Sequence, residues 1–289
     1  MIGFVILHYM VLEETITCVD SLKKLDGEKK IIIVDNFSSN DTGKKLQEMY
    51  QNDPEIHVIL NQENLGFAKA NNIGYEYAMQ FKPKFVVVMN NDTEIVNHDF
   101  YEKVEQLYKE TNFAVLGPDI YSTSQEYHQN PKKNHHVDLS YIKKVKKDAE
   151  FKLNHSMYSK LRIMLKKNKI LNKYYQNSTK ENDYQHASED VVLHGSFLVY
   201  SPIFMTHFDT PFFEGTFFYL ETEILDIALQ HKKLKSVYTP ELKVLHHQNV
   251  STKSVMSSEY KRAKFANDNL VNSATNFLEY VSQNKNESW

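Results

Sequence analysis

The sequence predicts an α/β fold with a doubly wound, mostly parallel sheet, and two patterns support this. Short apolar runs rich in Ile and Val recur through the first 120 residues, at 4–7, 31–34, 56–60, 85–89 and 113–116. Unbroken runs of this kind are typical of strands that are buried on both faces of a parallel sheet. Segments with helical periodicity lie between the runs, and such βαβ alternation favours a doubly wound sheet.

Two of the intervening helices are predicted in detail. The first follows Ser39 and Asn40, which favour a helix start, and its apolar face holds Leu46, Met49 and Tyr50. The second has a stripe at helical spacing, formed by Phe67, Ala70, Gly74, Tyr77 and Phe81. Beyond residue 190 the patterns predict further elements, namely strands at 191–200 and 235–238, a helix over 221–231 and closing helices over 255–285.

Charge is distributed unevenly along the sequence. Residues 132–173 hold thirteen Lys or Arg against three Asp or Glu, an excess of +10, and because the whole chain carries −3, the remainder carries −13. Within this segment apolar residues recur at a spacing of four, beginning with Tyr141, Val145 and Ala149. The pattern predicts a basic, amphipathic helical insertion.

Composition limits the classes of protein to consider. The hydrophobic fraction of 41% and the aromatic fraction of 12% indicate a globular chain. The single cysteine, Cys18, excludes an internal disulfide, suits a reducing, cytoplasmic location, and is expected to be a small buried hydrophobe. No stretch approaches the roughly 18 apolar residues of a membrane span. The N-terminal apolar run is interrupted by a histidine, which favours a strand over a signal peptide.

Polar side chains follow three of the predicted strands, at the edge where open α/β sheets bind ligands. "IIIVDNFSSND" places Asp35 and Asn36 directly after one strand, and a carboxylate there needs a partner because it is costly to bury. "NQENLGFAKANNIG" brings amides and a glycine to a helix N-terminus, which allows a ligand to approach closely. "FVVVMNNDTEI" ends a strand with oxygen ligands that Mg²⁺ or Mn²⁺ prefers, although N-N-D alone is also a common turn.

Together, "VDNFSSND", "NLGFAKANN" and "MNNDTE" resemble, in order and spacing, the inverting GT-A glycosyltransferases of family two, and most closely their rhamnosyltransferase-like, cell-surface polysaccharide branch. The downstream segments "HGSFLVYSPIF", "PFFEGTFFYLETEIL" and "YTPELKVLHH" agree. The resemblance implies a GT-A fold in four segments: a nucleotide-sugar-binding half (1–125), the basic insertion (126–188), an acceptor and catalytic half (189–250) and a C-terminal helical extension (251–289).

For the donor, the resemblance implies a site at the strand ends that is lined by His8, Tyr9, Asp35, Asn36, Ser38, Asn64, Gly66, Asn72, Asn90 and Asn91. In the family, a D-x-D-type element holds a divalent cation, Mn²⁺ or Mg²⁺, against the donor diphosphate. Asn90 stands here in place of the first acid, so Asp92 is the implied principal ligand, and His246 of "P-E-x-x-V-x-H" is a second. Asn90 or Asn91 then supplies an oxygen or contacts the donor sugar.

For the acceptor, the resemblance implies a subsite near Gly195 and Ser196, and a general base from an acidic pair at the start of a helix. Thr222 stands where the second acid of the pair belongs, and threonine does not act as a base at neutral pH. Either Glu221 or Glu223 is therefore the base. Both acids also fit the ordinary preference of carboxylates for the first turn of a helix.

The implied activity is inverting transfer of a sugar from a UDP- or dTDP-sugar to a glycan acceptor, lipid-linked or not, in surface polysaccharide synthesis. Two alternatives remain. A non-catalytic nucleotide-sugar- or glycan-binding module is favoured by Asn90 and Thr222. A sugar nucleotidyltransferase is disfavoured because "HYMVLEET" lacks the glycine- and arginine-rich loop of such enzymes. Dehydrogenases and P-loop enzymes are disfavoured because G-x-G-x-x-G and G-x-x-x-x-G-K do not occur in the sequence.

The basic insertion allows four interpretations: a solvated helix face, a peripheral membrane contact through 140–173, a nucleic-acid site, or an oligomer contact. Lys on one face with Leu, Ile and Met on the other matches helices that lie on the anionic inner face of a membrane, where a lipid-linked acceptor resides. Nucleic acid is not expected as a partner, because the rest of the chain is acidic and no recognised nucleic-acid motif occurs.

Overall fold

The structure, a computed structural model, describes residues 1–166, 183–247 and 258–284. Within these ranges ten strands form one sheet. The strands are β1 (Ile2–His8), β2 (Lys29–Asp35), β3 (Ile56–Leu60), β4 (Phe85–Asn90), β5 (Thr93–Ile95), β6 (Val115–Ser122), β7 (Tyr127–His128), β8 (Ser188–Glu189), β9 (Phe197–Tyr200) and β10 (Ser236–His246).

The helices of the described ranges are α1 (Leu12–Lys23), α2 (Thr42–Tyr50), α3 (Gly66–Met79), α4 (Phe100–Thr111), α5 (Leu139–Asn154), α6 (Ser156–Lys166), α7 (Pro202–Met205), α8 (Glu221–Lys232) and α9 (Glu259–Gln283). Each of α1, α2 and α3 connects two strands of the same direction, as the βαβ pattern predicts. None of these helices combines the length and the apolar character that are needed to span a bilayer.

The sheet has the strand order β3-β2-β1-β4-β9-β6-β10-β5, with β7 paired to β6 and β8 to β10. β1 pairs in parallel with β2 and β4, β2 with β3, and β6 with β10. β9 lies antiparallel between β4 and β6. Strands from beyond residue 190 therefore lie inside the sheet that the first half of the chain begins, and the predicted α/β class is confirmed.

Alternate side chains along the central strands enter cores on opposite faces of the sheet. Along β1, Phe4 and Ile6 join the core that contains residues of α1, α2 and α4, whereas Val5 joins the core that contains residues of α3 and α8. The central strands have to be apolar on both faces because each face is covered by helices. This requirement explains the unbroken apolar runs of the sequence.

Some strand boundaries differ from the predicted ones. β9 begins at Phe197 and not at 191, because the Val191 N–H donates to the side-chain Oγ of Ser236 in β10 and not to a backbone carbonyl of a neighbouring strand. β6 and β10 continue several residues beyond the apolar runs that predicted them. Their extensions pair with each other and with β5 and β7. Backbone hydrogen bonds of this kind require no apolar side chain, so the pattern does not show them.

Two segments of the basic insertion are helical, as predicted, and form α5 and α6. The predicted membrane segment beyond residue 166 lies outside the described residues. Ile142 of α5 is buried with Ala274 and Phe277 of α9, which is one long helix where closing helices were predicted. The apolar face of α5 is thus covered by the protein itself.

Gly74, in the middle of α3, allows this helix to approach the sheet closely. A Cβ atom at position 74 would overlap Val5 and lie 2.8 Å from Val34 Cγ2. We predict that Gly74→Ala lowers the free energy of unfolding by about 1–3 kcal/mol through overpacking, although alanine is the better helix former by about 1 kcal/mol. Urea denaturation measures the change, and Glu76→Ala on the exposed face of α3 is the matched control. A Gly74→Ala protein as stable as the wild type would contradict this packing.

Candidate active site

The carboxyl ends of β1, β2 and β4 meet at one edge of the sheet. The register places His8 beside Asp35, and Leu7 beside Asn90. The polar residues that follow these strands are therefore neighbours, at the edge where open α/β sheets bind ligands. Asp92 follows β4 by two residues and is 8% exposed.

His8 is fully buried below this edge. Its Nδ1 lies 2.6 Å from Thr15 Oγ1, and its Nε2 lies 2.9 Å from Thr42 Oγ1. Burial lowers the pKa of His8 to about 4, against the opposing effect of the Asp35 carboxylate, so the ring is neutral at physiological pH. These bonds tie α1 and α2 to the end of β1 and leave neither ring nitrogen free, and a donor contact by His8 stays a prediction.

The Asp35 carboxylate is seated at the N-terminus of α2. It accepts the Ser38 N–H at 3.2 Å and lies 3.8 Å from His8 Nε2. Gly43 allows this close approach, because a Cβ atom there would overlap Asp35 Oδ2. The Ser38 hydroxyl oxygen accepts the Met10 N–H at 2.8 Å, and this bond joins the loops that follow β1 and β2.

Asn36 joins the loop after β2 to the loop after β3. Its Nδ2 donates to Asn64 Oδ1 at 3.0 Å and to the Gly66 carbonyl at 3.1 Å, and its Oδ1 accepts the Leu65 N–H at 2.9 Å. Asn64 Oδ1 also accepts the Gly66 N–H at 3.0 Å. The structure therefore brings these three predicted donor residues together, and much of their polar capacity is used in holding the loop.

Asn72 and Asn91 lie away from this cluster. The Asn72 amide bonds both backbone polar groups of Phe212, at 2.8 and 3.1 Å, and so clamps the segment before α8 to α3. Asn91 is buried, and its Nδ2 donates to Thr15 Oγ1 of α1 at 2.9 Å. Asn90 was the alternative to Asn91 for contacting the metal or the donor sugar. It is half-buried, and its N–H donates to the Ser196 carbonyl at 2.9 Å.

Asp92 and His246, the two predicted metal ligands, lie side by side. Asp92 Oδ1 is 3.1 Å from His246 Nε2, and both residues are buried. His246 Nδ1 lies 2.6 Å from Gln129 Oε1, a contact in which Nδ1 donates, so a ring that is protonated on Nδ1 alone has a lone pair on Nε2. Asp92 Oδ1 accepts no hydrogen bond from the described residues. In that tautomer two lone-pair atoms face each other, and a proton or a cation between them removes their repulsion.

This donor set fits a divalent cation that takes few ligands from the protein. Carboxylate and imidazole suit Mn²⁺ as well as Mg²⁺, and the contact of His246 Nδ1 with Gln129 is the kind of bond that orients a ligating histidine. No group of three or more His, Cys, Asp or Glu that could hold a metal occurs in the described ranges. Asp92 and His246 would therefore hold the cation together with phosphate oxygens and water, as is usual for Mg²⁺.

The predicted acceptor residues connect this pair to α8. The Ser196 hydroxyl lies 2.9 Å from His194 Nδ1, and the His194 ring packs edge-on against His246 with centroids 5.9 Å apart. Burial lowers the pKa of His194 to about 3, so this ring is neutral. A Cβ atom at Gly195 would lie 3.3 Å from Thr222 Cγ2, which places the segment against the first turn of α8.

Glu221 begins α8 after two residues in the left-handed region, Tyr219 at φ +70° and Leu220 at φ +72°. Bulky residues seldom adopt this conformation, and it concentrates at functional sites. Glu221 is 8% exposed, and its Oε1 has no hydrogen-bond partner among the described residues. Burial raises the pKa of Glu221 to about 7. Hydrogen bonds from the backbone of Glu221 and Tyr219 and the Lys132 ammonium lower it, and Glu223 raises it, as smaller effects.

Glu223 is buried as well, but it is paired. Its Oε2 lies 2.8 Å from Lys132 Nζ, which also donates to Thr222 Oγ1 at 3.2 Å. Burial alone would raise the pKa of Glu223, but the Lys132 ammonium outweighs burial and holds the pKa below its usual value. Glu223 is therefore paired with a lysine, whereas Glu221 has no ion-pair partner among the described residues and its pKa is raised to about 7. Glu221 has the properties of a general base.

The loop before Glu221 lies against the donor edge. The Phe217 carbonyl accepts the Phe67 N–H at 2.7 Å, and a Cβ atom at Gly66 would lie 2.5 Å from the same carbonyl oxygen. Gly66 also has φ +78°, so glycine is required there by conformation as well as by space. The loop that leads to Glu221 and the loop that contains Asn64 are thereby in direct contact.

Four residues of this region do not follow from the motifs: Thr15, Gln129, Lys132 and His194. Lys132 was counted only as one charge of the basic insertion, and its contact with Glu223 joins positions 91 residues apart. The only signal in the sequence was the presence of polar residues beside buried strands, as in "HGSFLVY".

Comparisons with known proteins agree with this fold. The family described as Glycosyl transferase family 2 matches residues 4–176, more than half of the chain. The structure of S. aureus TarS 1–349 in complex with UDP is 13% identical with a TM-score of 0.54, over 99% of this chain and 73% of that one. The same protein in complex with UDP-GlcNAc is 14% identical with a TM-score of 0.53, over 97% of this chain and 72% of that one.

A third solved structure, GalNAc-T7 with UDP, GalNAc and Mn²⁺, is 13% identical with a TM-score of 0.57, over 98% of this chain and 57% of that one. At such identities the likeness shows the fold, and the GT-A arrangement that the motifs implied is confirmed. A search of curated protein sequences finds no match.

An unpaired buried carboxyl destabilises a protein when it ionises. Because the pKa of Glu221 is about 7 against an ordinary value of 4.5, the folded state binds the proton more tightly, and stability falls as the pH rises from 4.5 through 7. We predict that Glu221→Gln removes this fall, which amounts to at most about 3 kcal/mol. Urea unfolding at pH 5 and pH 8 measures it, with the exposed Glu214→Gln as control. The same pH dependence in wild type and Glu221→Gln would contradict the assignment.

Proposed function

We propose that this chain, which belongs to glycosyl transferase family 2, moves a sugar from a UDP- or dTDP-sugar to a hydroxyl group of a glycan acceptor, with inversion at the anomeric carbon. The observation that carries the proposal is the carboxyl of Glu221. It is buried, it has no partner at Oε1, and its pKa of about 7 lies near working pH. The loop before it is in contact with the predicted donor edge.

Inverting transfer needs a base that takes the proton of the acceptor hydroxyl while its oxygen attacks the anomeric carbon. In our proposal Glu221 takes this proton, and the nucleoside diphosphate leaves from the opposite side of the sugar. A base is most effective when its pKa is close to the operating pH, which Glu221 satisfies. Glu223 is held by Lys132 and serves as a fixed negative charge beside the base.

The other predicted residues have supporting roles in this proposal. Asp92 and His246 would hold a divalent cation, Mn²⁺ or Mg²⁺, whose positive charge when bound offsets that of the diphosphate. The nucleotide would lie along the strand-end loops, and the acceptor would lie near Gly195 and Ser196. The Asp92–His246 geometry, with its two facing lone pairs, supports the cation.

One assay can identify the donor nucleotide and distinguish a transferase from a binding module. The similar TarS structures are described with UDP and UDP-GlcNAc, which favours UDP over dTDP for the donor. A non-catalytic binding module of the same fold is favoured by Asn90 and Thr222, which replace acids of the family pattern. Release of sugar from a panel of UDP- and dTDP-sugars separates the two functions, because a binding module releases none. The acceptor that we propose is a surface glycan, by resemblance to the polysaccharide branch.

Loss of the base should lower the rate and spare donor binding. We predict that Glu221→Gln transfers sugar about 10²–10⁴-fold more slowly than the wild type. Its affinity for UDP should remain within about twofold, because the amide keeps the shape of the carboxyl. Initial rates with a UDP-sugar panel and Mn²⁺, together with calorimetric titration of UDP, measure both quantities. Glu214→Gln, an exposed change seven positions earlier, should keep the wild-type rate. Wild-type rates in Glu221→Gln would show that another group is the base.

We further propose that the basic insertion rests on an anionic membrane surface, and α6 supports this. The apolar face of α5 is covered, but Met157, Leu161 and Met164 of α6 are 84%, 53% and 66% exposed. Lys160 and Arg162 lie on the same short helix, which has no acidic residue. Apolar side chains next to basic ones, on a helix at the protein surface, suit the interface of an anionic bilayer. A lipid-linked acceptor would then meet the enzyme at that surface.

Removal of the exposed apolar side chains should abolish this contact. We predict that the wild type sediments with vesicles containing phosphatidylserine and that Met157→Ser/Leu161→Ser/Met164→Ser stays in the supernatant. The double change Met49→Ser/Val96→Ser removes apolar side chains that are 52% and 47% exposed elsewhere, and it should sediment like the wild type. Equal sedimentation of the α6 variant and the wild type would contradict the proposal.

A further inference from the structure

Phe37 combines a strained backbone with an exposed aromatic side chain. Its φ is +65°, in the left-handed region where a bulky residue is an outlier. Its side chain is 54% exposed, so burial of the ring within the protein does not explain the choice of phenylalanine. A strained residue without a packing role is more often found at a functional site than elsewhere.

The surrounding loop sets the conformation of Phe37 without using its ring. On one side, the Asp35 carboxylate accepts the Ser38 N–H, and the Ser38 hydroxyl accepts the Met10 N–H. On the other side, Asn40 Nδ2 donates to the Met10 carbonyl at 2.7 Å. These bonds fix the backbone on both sides of position 37. Glycine would adopt the same φ without strain, so the backbone conformation does not account for the choice of phenylalanine.

The position of Phe37 indicates what the ring contacts. It lies between Asp35 and Ser38, two residues of the predicted donor edge, and the loop is bonded to the residue that follows the partly exposed Tyr9. We propose that Phe37 stacks on the nucleobase of the donor. This proposal rests on the proposed function, because it needs a nucleoside diphosphate at this edge. Every base has a flat π-face, and an exposed aromatic ring beside a polar edge is a suitable surface for it.

The test compares changes at position 37 that remove or keep the ring. Phe37→Gly and Phe37→Leu should weaken the binding of UDP about tenfold, as expected for the loss of one aromatic–base stack, and Phe37→Tyr should bind like the wild type. Calorimetric titrations of the full chain in Mg²⁺ buffer measure these affinities. Titration with inorganic pyrophosphate, which has no base, should give equal affinities for all four proteins.

A second measurement separates this role from a structural one. Because glycine relieves the strain, the melting temperature of Phe37→Gly should not fall. Phe151→Leu, which removes an aromatic ring 48% exposed on α5, should leave UDP binding unchanged.

Three results would overturn the proposal. UDP affinity within twofold of wild type in both Phe37→Gly and Phe37→Leu would exclude the stack. Equal losses for UDP and pyrophosphate, or a lower melting temperature, would show that the ring supports the loop instead. If the wild type itself binds neither UDP nor dTDP, the proposed function fails together with the stack. This failure differs from a failure of the stack alone, because it is seen in the wild type before any substitution is made.

Discussion

The arrangement around α8 depends on one requirement, that the Glu221 carboxyl stays buried and without an ion-pair partner among the described residues, while the acid two positions along is paired. When two carboxyl groups lie close together, the pKa of at least one of them rises. Lys132 lessens this repulsion by pairing with Glu223, and Glu221 Oε1 has no hydrogen-bond partner among the described residues. Ionisation of Glu221 is costly because the carboxyl is buried.

Three contacts connect the segments around this carboxyl to the predicted donor edge, two from α3 and one from β4. Phe217 meets Gly66 at the start of α3, Asn72 of α3 bonds the backbone of Phe212, and the Asn90 N–H at the end of β4 bonds the Ser196 carbonyl. Bonds on both sides of a loop restrict its movement more than either bond alone. In the proposed reaction, a base that is fixed relative to the donor reduces the entropy that would otherwise be lost when the reacting groups align.

The sequence was informative where one physical requirement dominates. Strands covered on both faces have to be apolar, so β1 to β4 could be located from their apolar runs. The carboxylates of Asp35 and Asp92 stood out because they follow such runs closely. The partners of those residues could not be found in this way. Lys132 meets Glu223 although the two are 91 residues apart in the sequence, and Asn72 has the same residue type as Asn64 but bonds a different segment. Pairings between distant positions depend on the tertiary structure, which spacing along the chain does not encode.

The charges of the described side chains near the proposed diphosphate site also bear on whether a cation is needed there. A departing diphosphate needs positive charge nearby, but burial keeps the His8 and His194 rings neutral, and the Lys132 ammonium is already paired with a carboxylate. These three groups therefore offer little charge to a diphosphate. Asp92 Oδ1 and His246 Nε2, in contrast, lie 3.1 Å apart, a contact that is favourable with a proton or a cation between them. The proposed cation at this position would meet both needs, because it would bind these two atoms and supply the positive charge that the neighbouring side chains do not.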